Sequence, residues 1–352
     1  MTEGSKKIRL LIVEDSPMMR YILTQGLSKD PEIEVISTAS DPYAARDKII
    51  EFRPDVLTLD VEMPKMDGIS FLEKLMPQYP LPVVMVSSLT ERGKSITLKA
   101  LELGAVDFVT KPTADVHDGI NMMMSELRTK IKTASTANVS HFKKPMKAPQ
   151  VEEEKYSLEH CGNKIIAIGA STGGTDAIRQ IITKLPKDTP GIVIVQHMPK
   201  GFTEMYARNL NEISKVEVME GKSGDRVVPG RAVIAPGGMQ MELRKTGIFY
   251  EVSIYEGDKV GGHRPSVDVL FNSVAACAGS NAVGMILTGM GCDGSGGLLK
   301  MREKGAYTIA QNAETSIIFG MPKVAIEIGA CEAVWGLQDI PTNLLRYLRA
   351  KT

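Results

Sequence analysis

Short runs of branched apolar residues recur along this chain, each followed by an amphipathic stretch, and that alternation restricts the possible folds more than any other feature. In residues 1–133 the runs are Ile8–Val13, Ile33–Ser37, Val56–Leu59, Val83–Val86 and Val106–Val109. Unbroken runs of this length suit strands buried on both faces, as in a parallel sheet. Between them, Met18–Leu27, Tyr43–Phe52, Gly68–Met76, Ser95–Leu103 and Ile120–Ile131 space their apolar residues along one helical face. A second alternation opens at Lys164, with strands expected at Ile165–Ile168, Ile192–Val195, Ala232–Ala235, Ile248–Ile254, Val283–Leu287 and Ala306–Ile309. Its helices are expected at Thr175–Lys184, Phe202–Asn211, Ser266–Ala278, Gly296–Lys304 and Pro322–Ile328. Residues 216–261 are rich in strand and turn signals and predict a β-hairpin insertion. The expected class is α/β, with two doubly wound parallel-sheet domains at residues 1–133 and 162–352. Residues 134–161 hold Ser, Thr, Lys, Pro and the run Glu152–Glu154 with little apolar periodicity, which predicts a flexible linker.

Composition removes several function classes. A chain of 352 residues exceeds one ordinary domain, and either half is long enough to bury its own core. The 42 basic and 42 acidic residues cancel; residues 1–133 carry 17 and 20, residues 162–352 carry 21 and 18. Neither half has the concentrated cationic face that nucleic-acid binding requires. No apolar run approaches the roughly 18 residues of a membrane span, so membrane insertion is not expected. The opening Met-Thr-Glu-Gly-Ser-Lys-Lys reads as the lead into a strand rather than a leader peptide. Cys161, Cys277, Cys292 and Cys331 form no C-x-x-C pair, which suits reduced thiols and a cytoplasmic location.

In open parallel sheets ligands gather beyond the carboxyl ends of the strands. Strand one of the first half ends at Glu14-Asp15, strand three at Asp60, strand four runs into Ser87, and strand five into Lys111-Pro112. Three converging carboxylates repel one another unless a divalent cation neutralises them, and Mg²⁺ suits a small oxygen-rich site. A phosphoryl group on Asp60 would meet Lys111 on one side and a hydroxyl donor, Ser87, on another. Each residue alone reads equally as a solvated loop group; four matched strand ends in order do not. This half resembles the receiver domain of bacterial two-component response regulators, a flavodoxin-like fold. The resemblance rests on Val13-Glu14-Asp15-Ser16, on Asp60-Val61-Glu62-Met63-Pro64 with Asp67-Gly68, and on Lys111-Pro112. It implies that Asp60 is the phospho-acceptor and that Glu14, Asp15 and Asp60 bind Mg²⁺. Phe108 falls where receivers place a switching aromatic, although core packing accounts for it as well.

In the second half, Ile165-Ile-Ala-Ile-Gly169-Ala170-Ser171-Thr172-Gly173-Gly174 reads as a strand, a tight turn and a helix. The letters satisfy G-x-S-x-G, whose small neighbours expose a nucleophilic serine at a sharp bend. A dinucleotide fingerprint requires glycine where Ser171 stands, and a phosphate-binding loop requires an absent Gly-Lys-Ser/Thr ending. His197 follows the next buried strand, in Val195-Gln196-His197-Met198-Pro199, and is a candidate base on the same sheet edge. Asp293, in Leu287-Thr-Gly-Met290-Gly-Cys-Asp293-Gly294, is a candidate to orient that base. It equally suits an N-cap for a helix over Leu298–Lys304.

These segments, with Gly262-His-Arg264-Pro-Ser266-Val-Asp268, resemble the catalytic domain of the chemotaxis protein-glutamate methylesterase family, CheB. The receiver–linker–hydrolase order matches over nearly the whole chain, and no catalytic position departs from the pattern. The resemblance implies a Rossmann-like methylesterase domain with a triad of Ser171, His197 and Asp293. Thr172 would position His197, and the Met290 backbone N–H would help hold an oxyanion. Arg264 and Ser266 lie in the same family-typical segment, which a polar turn starting the helix at Ser266 explains equally well. The implied substrate is the glutamate γ-methyl ester on methyl-accepting chemotaxis receptors, with deamidation of specific glutamines as a second activity. The implied phosphodonor is the chemotaxis histidine kinase, and no cofactor is expected in the catalytic domain. The implied regulation is a receiver that covers the hydrolase face until Asp60 is phosphorylated. Two alternatives share the residues: a hydrolase for another ester, and a non-catalytic adaptor. A receiver-controlled transcription factor does not fit, because its output domain would be short, basic and helical.

Overall fold

A computed structural model describes residues 6–88, 90–112, 116–143 and 164–350. The chain divides into two compact units, Met1–Lys147 and Ala148–Thr352. In the first, strands β1 (Ile8–Val13), β2 (Ile33–Ala39), β3 (Val56–Asp60), β4 (Val83–Ser87) and β5 (Asp107–Thr110) alternate with five helices. These are α1 (Pro17–Leu27), α2 (Pro42–Phe52), α3 (Gly68–Gln78), α4 (Glu91–Glu102) and α5 (Val116–Ala134). The sheet runs β2-β1-β3-β4-β5 with every pairing parallel. Helix starts are set by side-chain chemistry: Ser16, Asp41, Asp67 and Thr90 each accept a first-turn N–H. Such caps contribute about 1 kcal/mol each.

Ordered structure extends past the expected domain end at residue 133. Helix α5 closes at Ala134, and a 3-10 turn at Ser140–Lys143 follows. Val139 is buried, and the Phe142 ring lies beside Gly104 and Met76. These two apolar side chains give the stretch a packed contact with the unit despite its polar composition. Residues 144–161 of the expected linker lie outside the described residues.

The second unit holds β6 (Ile165–Ala170), β7 (Gly191–Gln196), β8 (Glu217–Glu220), β9 (Arg226–Val227) and β10 (Arg231–Ile234). After these come β11 (Gln240–Thr246), β12 (Phe249–Tyr255), β13 (Ala282–Ile286), β14 (Tyr307–Gln311) and β15 (Ala333–Trp335). Its helices are α6 (Gly174–Ile182), α7 (Thr203–Ile213), α8 (Val267–Cys277), α9 (Ser295–Glu303), α10 (Met321–Glu327) and α11 (Ile340–Ala350). Seven strands form one parallel sheet, β15-β14-β13-β6-β7-β10-β8. The expected hairpin insertion divides: β8 and β10 join this sheet, while β11, β12 and β9 make a separate antiparallel one. Strand β11 escapes a sequence reading because Gln240-Met-Glu-Leu-Arg-Lys-Thr is mostly polar and buries only Met241 and Leu243 on one face and Gln240 on the other.

Helix α8 packs Val267, Leu270, Phe271 and Val274, all fully buried, into a core shared with Val193 and Val195 of β7. Burying side chains of this kind contributes roughly 1.5–3 kcal/mol each. The helix comes so close to β6 that a Cβ added at Gly169 would stand 2.1 Å from Val267 Cγ1. Gly169→Ala is therefore expected to overpack this contact and lower stability by about 1–3 kcal/mol. Trp335 is the only tryptophan and lies in the second unit, so urea unfolding followed by its fluorescence reads this effect directly. An unchanged midpoint would show that α8 shifts away without penalty.

Candidate active site

The strand order of the second sheet reverses at β6: β7 and β10 continue on one side, β13, β14 and β15 on the other. Such a reversal opens a crevice at the carboxyl edge. Ser171 is the first residue beyond β6, half-buried, with its N–H on Thr288 O at 3.0 Å and its carbonyl accepting Gln196 Nε2 at 2.9 Å. Gly173 then takes φ +79°, a left-handed conformation that favours glycine, and caps α6. His197 follows β7, with its N–H on Ala170 O at 3.1 Å, so it stands one strand from Ser171 at the same edge.

Asp293 fixes the histidine. Its Oδ2 lies 2.7 Å from His197 Nε2, and it also accepts Ser266 Oγ at 2.8 Å, the Val267 N–H at 2.7 Å and the Asp268 N–H at 3.1 Å. The last two donors are first-turn amides of α8, which attract an anion. Burial alone would raise the Asp293 carboxyl, but the His197 bond and charge, with the Val267 and Ser266 donors, outweigh it and hold it below the usual range. Asp293 is thus tied to α8; the cap of α9 is Gly294, without a side-chain hydrogen bond, so the helix-cap alternative is not realised. Ser266 caps α8, as a polar turn starting that helix expects, and also donates to one carboxylate oxygen of Asp293.

With Nε2–H given to Asp293, the other ring nitrogen of His197 is left as the acceptor. Nδ1 is buried and has no hydrogen-bond partner among the described residues. Thr172 is buried, its carbonyl accepting Thr288 Oγ1 at 3.0 Å. Met290 is exposed on the loop after β13, where Gly289 O accepts the Gly320 and Met321 N–H groups. Two contributors went unread in the sequence. Gln196, 3% exposed, ties the Ser171 and His197 carbonyls together through Nε2. His263 stacks on His197, ring centroids 3.8 Å apart and 8° from parallel. Neither has a local signature, because the bond from Gln196 to Ser171 and the stacking of His263 on His197 join residues distant in sequence.

In the first unit the order reverses between β1 and β3, and there Glu14, Asp15 and Asp60 place ligand oxygens within 4.8 Å of one another. Lys111 Nζ lies 3.0 Å from Asp60 Oδ1 and 3.1 Å from Glu14 Oε2. Burial and the Asp60 charge, only partly offset by Lys111, push Glu14 up to about 7. Burial also raises Asp60 against the pull of Lys111. An excess of buried negative charge with oxygen donors turned together fits a small hard cation. Ser87 is fully buried, accepting from Thr97 Oγ1 at 2.7 Å and donating to Gly93 O at 3.3 Å, so its hydroxyl is engaged with α4 rather than with the carboxylates. Phe108 is buried at 5% exposure, as core packing expects.

Residues 166–344 match the family model for the CheB methylesterase, and residues 10–122 that for the response regulator receiver domain. The chain belongs to the CheB methylesterase family. A protein-glutamate methylesterase/protein-glutamine glutaminase of Syntrophotalea carbinolica is 54% identical over 346 residues, covering 97% of this chain and 98% of its own. The enzyme of that name from Salmonella typhimurium is 50% identical over 344 residues, 98% of each. The Thermotoga maritima CheB methylesterase catalytic domain superposes with a TM-score of 0.52 at 39% identity, over 53% of this chain and 98% of its own.

A metal ligand must be deprotonated, so a cation held by Glu14 would bind with an affinity that depends on pH. The folded unit holds this proton up to about 7, above the ordinary 4.5, so Glu14 opposes folding increasingly as pH rises through that window, and a cation bound there would offset this. Mg²⁺ affinity by titration calorimetry is expected to fall about tenfold from pH 8 to pH 6. A flat profile would place Glu14 outside the cation's reach.

Proposed function

We propose that this chain is a phosphorylation-activated protein-glutamate methylesterase and protein-glutamine deamidase with Ser171, His197 and Asp293 as its catalytic residues. The observation that carries the reading is the 2.7 Å bond from His197 Nε2 to Asp293, which leaves Nδ1 as the base. Ser171 Oγ attacks the ester carbonyl while its proton passes to Nδ1. The imidazolium so formed is held by the Asp293 carboxylate. The tetrahedral adduct collapses as that proton goes to the leaving oxygen, releasing methanol, or to nitrogen, releasing ammonia from a glutamine. Water then attacks the glutamyl ester, with His197 again as base, and returns Ser171 and a free glutamate. The Met290 N–H is assigned to the oxyanion and Thr172 to holding His197.

The names of the relatives at 50–54% identity support glutamate and glutamine side chains of a protein as the substrate, which we assign to methyl-accepting chemotaxis receptors. Asp60 is assigned as phospho-acceptor, with Lys111 on the phosphoryl oxygens, Ser87 as a further donor after turning from Gly93, and the chemotaxis histidine kinase as phosphodonor. Glu14, Asp15 and Asp60 would hold Mg²⁺, which when bound screens the charge of the aspartate and the incoming phosphoryl group. No described helix is long and apolar enough to cross a membrane, and a cytoplasmic site of action is part of the proposal.

Ser171→Ala should lower methanol release from methylated receptor by at least about 10⁴-fold, and Asp293→Asn by a similar factor, because the amide no longer fixes the tautomer. Retained turnover in either variant would assign the base elsewhere. Asp60→Ala should keep basal hydrolysis and lose stimulation by acetyl phosphate; stimulation that survives would move the phospho-acceptor off Asp60.

A further inference from the structure

The face of the His197 ring is covered by a second imidazole, and the chain invests heavily in placing it. His263 lies in the loop between β12 and α8, and its N–H and carbonyl exchange hydrogen bonds with Val260 at 3.0 Å each. Gly261 and Gly262, at φ +59° and +87°, make the turn between them. Gln240 Nε2 donates to the Asp258 carbonyl at 2.9 Å and to the His263 carbonyl at 3.3 Å, and Gln240 Oε1 accepts the Ser266 N–H at 2.9 Å. Arg264 Nη1 closes the loop on Gly257 O at 2.7 Å. Ser266 in turn holds Asp293, so one buried glutamine sets both the ring over His197 and the residue that steadies its partner carboxylate.

Resting on the proposed triad, we infer that His263 is a positioning residue for His197, a neutral ring whose stacked face fixes the plane of the base. Edge contact with Asp293 leaves the His197 ring free to rotate about the Nε2···Oδ2 axis, and a parallel ring at 3.8 Å removes that freedom. Fixing the plane fixes the direction of the Nδ1 lone pair, the quantity on which proton transfer from a serine hydroxyl depends. The groups facing His263 are His197, Asp293 and, from its own loop, Lys259. Burial, then the neighbouring His197 and Lys259, hold its proton affinity low against the opposing pull of Asp293. A neutral ring also tolerates the imidazolium that forms beneath it, through attraction of the cation to its π face. A protonated one would repel it.

The test uses the full-length protein and two variants, His263→Ala and His263→Phe. The rates of Ser171 labelling by a fluorophosphonate and the kcat and KM for methanol release are measured. His263→Ala should slow labelling and lower kcat roughly 10- to 100-fold with KM within about twofold, because orientation rather than binding is lost. His263→Phe, which stacks and carries no proton, should recover most of the lost rate. An alanine variant as fast as the parent overturns the inference. So does a phenylalanine variant as slow as alanine, since that would make His263 a proton carrier. Should alanine destabilise the second unit, as Trp335 fluorescence would show, the phenylalanine variant alone decides. Failure of the triad itself reads differently: the parent protein would then not be labelled at Ser171.

Discussion

Every strand in both large sheets runs parallel to its neighbours, and the rest of the molecule follows from that constraint. Parallel strands deliver all their carboxyl ends to one edge, and crossover helices cover both faces. Side chains placed just past the strands therefore meet although they are far apart in sequence. Where the winding direction reverses, the helices diverge and leave a crevice. Glu14, Asp15 and Asp60 flank one such reversal, between β1 and β3. Ser171 and the loop bearing Asp293 flank the other, between β6 and β13. The two units carry different chemistry on one architectural rule.

Charge is handled in opposite ways at the two crevices. Asp293 is a buried anion with four donors, two of them amides of a helix start, and it stays ionised through a wide pH range. In the proposed triad, that constancy would let it orient His197 without competing for the serine proton. The receiver carboxylates have one ammonium between them, Lys111, and burial pushes Glu14 and Asp60 upward. The first arrangement is electrostatically complete and suits a fixed catalytic group. The second is incomplete and suits a cation and a phosphoryl group that come and go.

The glycines at the serine turn show how closely packing and chemistry share residues. Gly169 admits Val267, the first residue of the helix whose amides hold Asp293. Gly174 admits Gln196, whose Oε1 would lie 2.1 Å from an added Cβ and whose amide nitrogen joins the serine and histidine carbonyls. A side chain at either position would move the serine turn or the residues packed on it.

Much of this was legible in the one-dimensional pattern. Hydrophobic runs such as Ile8–Val13 and Ile165–Ala170 mark strands because a strand buried on both faces has no polar alternative, and their order sets the α/β class. Residues at strand ends, Asp60 and Ser171 among them, follow from the same reading, since a strand end is a sequence position. Polar or short elements were less legible: β11 buries three residues at its start and leaves its end exposed, and Val139 with Phe142 carries order past the helix into a stretch whose composition reads as linker. Pairwise geometry belonged to the tertiary structure alone. That Asp293 serves α8 rather than α9, that Nδ1 of His197 is the free nitrogen, and that His263 lies over its ring are contacts between distant segments. Local sequence encodes which backbone conformations are cheap, whereas such contacts exist only after the whole sheet has closed and brought its loops to a common edge.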